Sequence, residues 1–152
     1  MRRLALALTL ILGAPSAVWA AFAANDLSCS IYVPQKPGVL ARCAGPFSGP
    51  GGSITIELHG KAPNRVTTVR LEFAGNALPT QTIPVTAKPV IDLETVGVLF
   101  MDFNSDGVED LALMECLPAG EDVPYRYYVF DPSMGVFAPN ARLTGSSKGE
   151  CK

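Results

Sequence analysis

Between residues 89 and 125 the chain has no lysine or arginine, yet nine acids lie there: Asp92, Glu94, Asp102, Asp106, Glu109, Asp110, Glu115, Glu121 and Asp122. The whole sequence of 152 residues carries 12 basic and 14 acidic residues and lacks any basic run. That balance repels phosphate, which argues against nucleic acid and anionic lipid as partners. One histidine, His59, and no Cys-x-x-Cys pair are present, so the ligand spacing of a zinc site is missing. Past the first two dozen residues no apolar stretch approaches the ~20 residues that span a bilayer. Nor does any later segment show a capped 3.6-residue apolar period, which excludes a helical domain. No unit repeats, which excludes a multi-blade propeller with blades of about 40 to 45 residues.

What is there begins with a leader. Arg2 and Arg3 precede an apolar stretch at 4–12, and the small residues Ala20, Ala21, Ala23 and Ala24 follow, the pattern of an export signal. Both Val18-Trp19-Ala20 and Ala21-Phe22-Ala23 fit a cleavage site. We expect residues 1–24 to be a signal peptide and 25–152 a single domain in the periplasm or outside the cell, with no membrane contact after cleavage. The cysteines Cys29, Cys43, Cys116 and Cys151 all lie beyond the leader. An even number in a small exported domain reads as two disulfides. Of three possible pairings, Cys29–Cys43 bridges adjacent segments and Cys116–Cys151 ties down the C-terminal tail, and this pairing is preferred.

Prolines and glycines punctuate short runs of β-branched and aromatic residues, so the expected class is all-β with antiparallel strands. The runs lie at 30–33, 38–41, 53–58, 66–73, 80–85, 97–103, 110–116, 125–130 and 136–137. Residues 45–52, rich in glycine and proline, read as a loop. Ile54, Ile56 and Leu58 share one face of their strand. Pro84 cannot donate to a ladder, which makes 80–85 an edge strand. A compact sandwich, a small barrel and a propeller-like meander all satisfy this pattern.

The run from Asp102 to Asp110 carries the one declared chemistry. Oxygen-bearing side chains fall at its first, third, fifth and ninth positions (Asp102, Asn104, Asp106 and Asp110). Gly107 stands sixth, where the backbone turns, and Val108 offers its carbonyl. A hard cation takes six to eight oxygens at about 2.3 to 2.6 Å, and this alternation supplies them. The expected cofactor is therefore Ca2+, and the expected metal ligands are Asp102, Asn104, Asp106, Val108 and Asp110. An EF-hand also needs a glutamate at its twelfth position; here that residue is Leu113, and apolar strand-like runs flank the loop. The loop thus joins two strands, as in FG-GAP or integrin-type calcium loops. The competing reading is a solvated turn, since Asn, Ser, Asp and Gly are ordinary turn residues.

Residues 99–111, with their D-x-N-x-D-G-x-x-D-L pattern, then 125–132 and 135–137, resemble a group of exported bacterial proteins with one such loop followed by an aromatic hairpin. The stretch 78–83 is similar to a strand found there. The group includes periplasmic immunity proteins that block peptidoglycan-cleaving effectors delivered by a type IV secretion system. The resemblance spans 78–137. It departs from the group at Ser105 and Val108, where an aromatic residue is frequent, and in its four cysteines. It implies a calcium-binding inhibitor or immunity factor whose protein partner is a lysozyme-like peptidoglycan hydrolase. The alternative is a secreted calcium-stabilised adhesive or carbohydrate-binding module.

Other chemistry is thinner. Glu109 with Asp110, or Glu121 with Asp122, could be named as a glycosidase pair, but such carboxyls must lie about 5 to 10 Å apart across a sugar. Metal ligation and solvated loop acids explain them better. His59 has no serine or cysteine elbow to serve, and is expected to cap a turn or lie on the surface. No catalytic residue is nominated and the protein is not expected to be an enzyme. Alternation along 125–130 sends about half of its aromatic residues to the core. Tyr125, Tyr127 and Tyr128 are the candidates for a partner-binding surface, since tyrosine supplies contact area at low entropic cost.

Overall fold

The computed structural model describes residues 26–31, 37–61, 65–85, 96–116, 118–147 and 149–150. The leader expected at 1–24 lies outside them. Among the described residues nine strands form two antiparallel sheets. One holds β1 (Ser28–Ile31), β2 (Val39–Pro46), β3 (Ser53–Lys61), β4 (Arg65–Phe73) and β5 (Gln81–Pro84); the other holds β6 (Val98–Met101), β7 (Asp110–Met114), β8 (Tyr125–Asp131) and β9 (Val136–Pro139). Both are meanders, each strand pairing with its neighbour in sequence. Their inner faces share one apolar cluster, so the all-β domain is a sandwich and not a closed barrel.

Alternation explains the inner faces. In β3 the side chains of Ile54, Ile56 and Leu58 stand opposite Phe73, Leu71 and Val69 of β4, and all six are buried. The second sheet repeats the device with Phe100, Leu111 and Tyr128 in one cross-strand row. Pro84 ends β5 at the sheet edge, as the sequence requires. Residues 45–52 divide differently from the expected loop. β2 continues to Pro46, and the turn proper runs from Phe47 to Gly52, closed by the Phe47 N–H donating to the Gly52 carbonyl at 3.1 Å.

Phe47 is the pivot of the core. Its ring lies 5.6 Å from Phe73, 6.0 Å from Phe100, 5.1 Å from Phe130 and 6.0 Å from Phe137, centroid to centroid. Phe73 belongs to one sheet and the other three to its partner, so one turn residue holds both layers. Such ring pairs contribute roughly 0.5 to 1.5 kcal/mol each beyond area burial. The ring folds back over its own turn. A Cβ on Gly49 would meet Phe47 ring carbon at 2.4 Å, so only glycine fits there.

Two polar ties also link the layers. The Gln81 side chain of β5 behaves as a piece of strand: its Nε2 donates to the Phe137 carbonyl at 2.7 Å and its Oε1 accepts the Phe137 N–H at 2.8 Å. That satisfies backbone groups on the outer edge of β9. At the Phe47 turn, Ser48 is bonded to Glu109 of the β6–β7 loop.

A short helix, α1 (Ala141–Ser146), is the one α-helix among the described residues and leaves the all-β class intact. Six residues are too few to show a period, and Gly145 weakens what signal there is. Asn140 caps it, its Oδ1 accepting the Leu143 N–H at 3.0 Å. β9 stops at Pro139 while β8 runs on, and α1 completes the ladder with hydroxyls. Thr144 Oγ1 accepts the Tyr127 N–H at 3.1 Å, and Ser147 Oγ accepts the Tyr125 N–H at 2.8 Å.

The Cys29–Cys43 disulfide joins directly paired residues of β1 and β2. Cys116 is also disulfide-bonded, while the expected partner, Cys151, lies outside the described residues. Disulfides of this kind persist in oxidising compartments. Among the described residues no helix is long and apolar enough to cross a membrane.

Candidate metal centre

β6 and β7 are joined by the loop that begins at Asp102, and its geometry follows from carboxylates accepting nearby N–H groups. Asp102 gathers three. Its Oδ1 accepts from Ser105 at 2.6 Å and Asp106 at 3.2 Å, and its Oδ2 accepts from Gly107 at 2.8 Å. Two further turns step along the loop: Asn104 Oδ1 accepts the Asp106 N–H at 3.0 Å, and Asp106 Oδ1 accepts the Val108 N–H at 2.9 Å. Asn104 Nδ2 donates to Asp106 Oδ2 at 2.8 Å. Ser105 and Gly107 take φ of 64° and 89°, left-handed values that let successive N–H groups point inward.

Asp110 closes the loop from below. It is fully buried, and its two oxygens accept the Phe103 N–H at 3.1 Å and the Phe130 N–H at 2.9 Å. Burial pushes its carboxyl above the ordinary 3.8. The two N–H bonds work against that rise, while the charges of Asp106 and Asp102 add to it. Asp110 thus anchors the loop to β8, where Phe130 enters the aromatic core.

The structure brings Asp102, Asn104 and Asp106 together through shared hydrogen bonds, and Asp110 stands on the strand backbones. All donors in the set are oxygens, which is the chemistry a hard cation requires. Among the described residues, no three His, Cys, Asp or Glu side chains are grouped so as to hold a metal ion. Glu109, between Val108 and Asp110, points elsewhere, to Ser48 of the other sheet.

The three tyrosines divide by parity. Tyr128 is buried with Phe130 in the shared core, which corrects its nomination for a partner-binding surface. Tyr125 and Tyr127 alternate with it and fall on the outer face, half-buried. There Tyr127 stands edge-on to Phe103 at 4.9 Å and lies 6.2 Å from Tyr125. Outer-face neighbours by register are Leu99, Ala112 and Met114.

His59 neither caps a turn nor lies free on the surface. It sits within β3, and its Nε2 is 3.1 Å from Glu57 Oε2. Sequence reasoning missed Glu57 itself, a fully buried carboxylate on the outer face of the first sheet. Arg42 Nε approaches it at 3.7 Å from β2. The cross-strand row Ser30, Arg42, Glu57, Arg70, Thr82 places arginines on both sides of it. Only strand register, which a single sequence does not print, could have found that grouping.

No family model, no curated protein and no solved structure matches the chain.

Proposed function

We propose that the protein is an exported, calcium-stabilised β-sandwich that acts by binding, as an inhibitor or immunity factor for a lysozyme-like cell-wall hydrolase. The observation that carries the binding reading is the outer face of the second sheet. Leu99, Met101, Tyr125, Tyr127 and Val129, all partly exposed, make it apolar and aromatic. Acids flank it at both ends: Asp131 beside one set of turns, Glu121 and Asp122 beside the other, while Glu115 is paired with Arg126 and Asp102 and Asp106 belong to the proposed cation loop. An apolar centre with a polar rim is the anatomy of a protein interface, and the sign of the rim favours a basic partner. The sequence resemblance supplies the class of that partner.

The test is direct. Purified protein is mixed with basic muramidases, including the product of any neighbouring hydrolase gene, and complex formation is followed by sedimentation and by clearing of peptidoglycan. A complex that slows clearing, and that Tyr127→Ala weakens at least tenfold, is the expected result. No complex and no protection of the wall would discard the inhibitor reading.

In this reading calcium is held by the Asp102, Asn104 and Asp106 side chains and the Val108 carbonyl, with Asp110 completing the oxygen set from its buried position. The ion supplies positive charge to three neighbouring carboxylates. Extracellular calcium modules bind at about 10⁻⁴ to 10⁻³ M, so calcium at ten times Kd should stabilise the fold by about 1.4 kcal/mol. Calorimetry with calcium and with chelator measures this, and Asp106→Ala should abolish the difference. A second reading has its own support. Asp102, Asn104, Asp106 and Asp110 already accept hydrogen bonds, and among the described residues no carboxylate trio is grouped to hold a metal ion. A loop closed without metal predicts superimposable melting curves.

A further inference from the structure

One hydrogen-bonded pair between the β6–β7 loop and the opposite side of the sandwich joins residues far apart in sequence. Glu109 Oε2 accepts the Ser48 N–H at 2.7 Å, and Oε1 accepts the Ser48 hydroxyl at 2.8 Å. Both carboxylate oxygens are thereby committed to one residue of the β2–β3 turn. The backbone of Glu109 is fixed on both sides: Val108 donates to Asp106 and Asp110 is tied to β8. The other end of the tie is equally constrained, because Ser48 follows Phe47, whose ring fills the centre of the core, and precedes Gly49, pressed against that ring. We propose that Glu109 is a coupling residue: order in the β6–β7 loop is transmitted through it to the β2–β3 turn, so that the second sheet's loop and the first sheet's turn open and close together.

The physical basis is two charge-assisted bonds made by one rigidly mounted side chain. Such bonds are shorter and stronger than neutral ones, although exposure and salt reduce their worth. Coupling between two places needs an element whose arrangement both can bias. Here that element is the paired turn and loop. If the loop fluctuates, Glu109 leaves Ser48 and the turn loses the acceptor of its Ser48 N–H. If the loop is held, the turn is held. The extension to calcium rests on the metal reading given above: a cation that orders residues 102–110 would then be sensed at Ser48, across the sandwich.

Amide exchange followed by NMR on the full exported domain tests this, with isothermal calorimetry of calcium chloride run beside it. The variants are Glu109→Ala, Ser48→Ala, both together, and Glu109→Gln, which keeps one acceptor. In chelator, Glu109→Ala should speed exchange of the turn amides Ser48 and Gly52 by roughly three- to tenfold. Glu109→Gln should give a smaller increase. Adding Ser48→Ala to Glu109→Ala should change little more, the sign of a shared interaction. If calorimetry shows calcium binding, calcium should slow exchange at Ser48 in the wild type but not in Glu109→Ala, while loop amides respond in both. Unchanged turn exchange in Glu109→Ala overturns the proposal whatever calcium does. Calcium binding that protects the loop but leaves Ser48 unmoved overturns it with the metal reading intact. A flat calorimetric trace discards the metal reading alone, and the chelator experiment still decides the coupling.

Discussion

The two sheets share one core but turn opposite chemistries outward. On the first, the row Ser30, Arg42, Glu57, Arg70 and Thr82 runs across all five strands, polar throughout. On the second, the outward positions carry Leu99, Met101, Ala112, Met114, Tyr125, Tyr127, Val129 and Ala138, with Asp110 opposite Met101 and Asp131 at the end of β8. Charge divides the same way. Described residues up to 85 hold Arg42, Lys61, Arg65 and Arg70 against Asp26, Glu57 and Glu72, whereas those from 96 onward hold nine acids against Arg126 and Arg142. Antiparallel sheets commonly face water on one side with polar residues, and the first sheet obeys that rule. The second departs from it and concentrates acids at its ends. Much of that face is nonetheless covered, since Ala112 and Met114 are buried and Leu99, Tyr125, Tyr127 and Val129 are partly so.

The largest expected effect would break the comparison by removing what the sheets have in common. Phe47→Ala deletes the ring that meets Phe73, Phe100, Phe130 and Phe137, and a buried Phe→Ala costs about 3 to 5 kcal/mol. Because the ring bridges both layers, β3 and β7 amides should lose protection together in a denaturant series. If β3 alone loosens, the sheets are independent units and the sandwich argument fails.

A smaller effect sharpens the contrast between the faces. Tyr127→Ala removes ring contacts with Phe103 and Tyr125 and should cost about 1 to 2 kcal/mol. Thr55→Ala, on the outer face of β3 opposite Glu72, should fall within about 0.5 kcal/mol of wild type. Urea midpoints at constant slope measure both. Equal losses would mean that the second sheet's outer face is no more packed than the first.

How much of this was legible in the sequence depends on how local each signal is. Ile54, Ile56 and Leu58 announce their shared face, and Pro84 its edge, because each rests on one strand's own geometry. Cys29 and Cys43 lie close enough in sequence for their pairing to be read. The loop's oxygen order is likewise local. Its internal hydrogen bonds follow from it, but the destination of Glu109, 61 residues away at Ser48, does not. Tyr127 and Tyr128 are adjacent, so assigning one to the core needs the parity that Phe130 sets from within the aromatic cluster. Glu57 was invisible for a related reason. A charge on an outward position reads as solvated, and its burial depends on residues of other strands, such as Arg42 from β2. α1 failed for want of length. For Glu109 and Glu57 the deciding contact came from a different element.

The smallest effect concerns two aspartates of the second sheet whose acidities move in opposite directions. Asp110 is raised, chiefly by burial, and Asp131 is lowered, chiefly by the Ser133 hydroxyl and then its N–H. Asp131 is exposed and leads the β8–β9 turn, its Oδ1 accepting from Ser133 Oγ at 2.6 Å and from the N–H groups of Ser133 at 2.9 Å and Met134 at 3.3 Å. A carboxyl lowered in the folded state stabilises it when ionised. That contribution is present above the unfolded value near 3.8 and is lost as pH falls through the lower folded value. Asp110 has the reverse sign: its contribution is present below 3.8 and is lost as pH rises through its raised folded value. The wild type should therefore exceed Asp131→Asn in stability at neutral pH by a small margin. The two should converge once the pH is below both of the Asp131 values, while the Asp110 contribution, common to both proteins, cancels in the difference. Urea midpoints from about pH 7 to about pH 2.5 follow this linkage. A gap that widens on acidification would show that the turn is not held by the ionised carboxylate, and that the loop and the turn of this sheet are built on different principles.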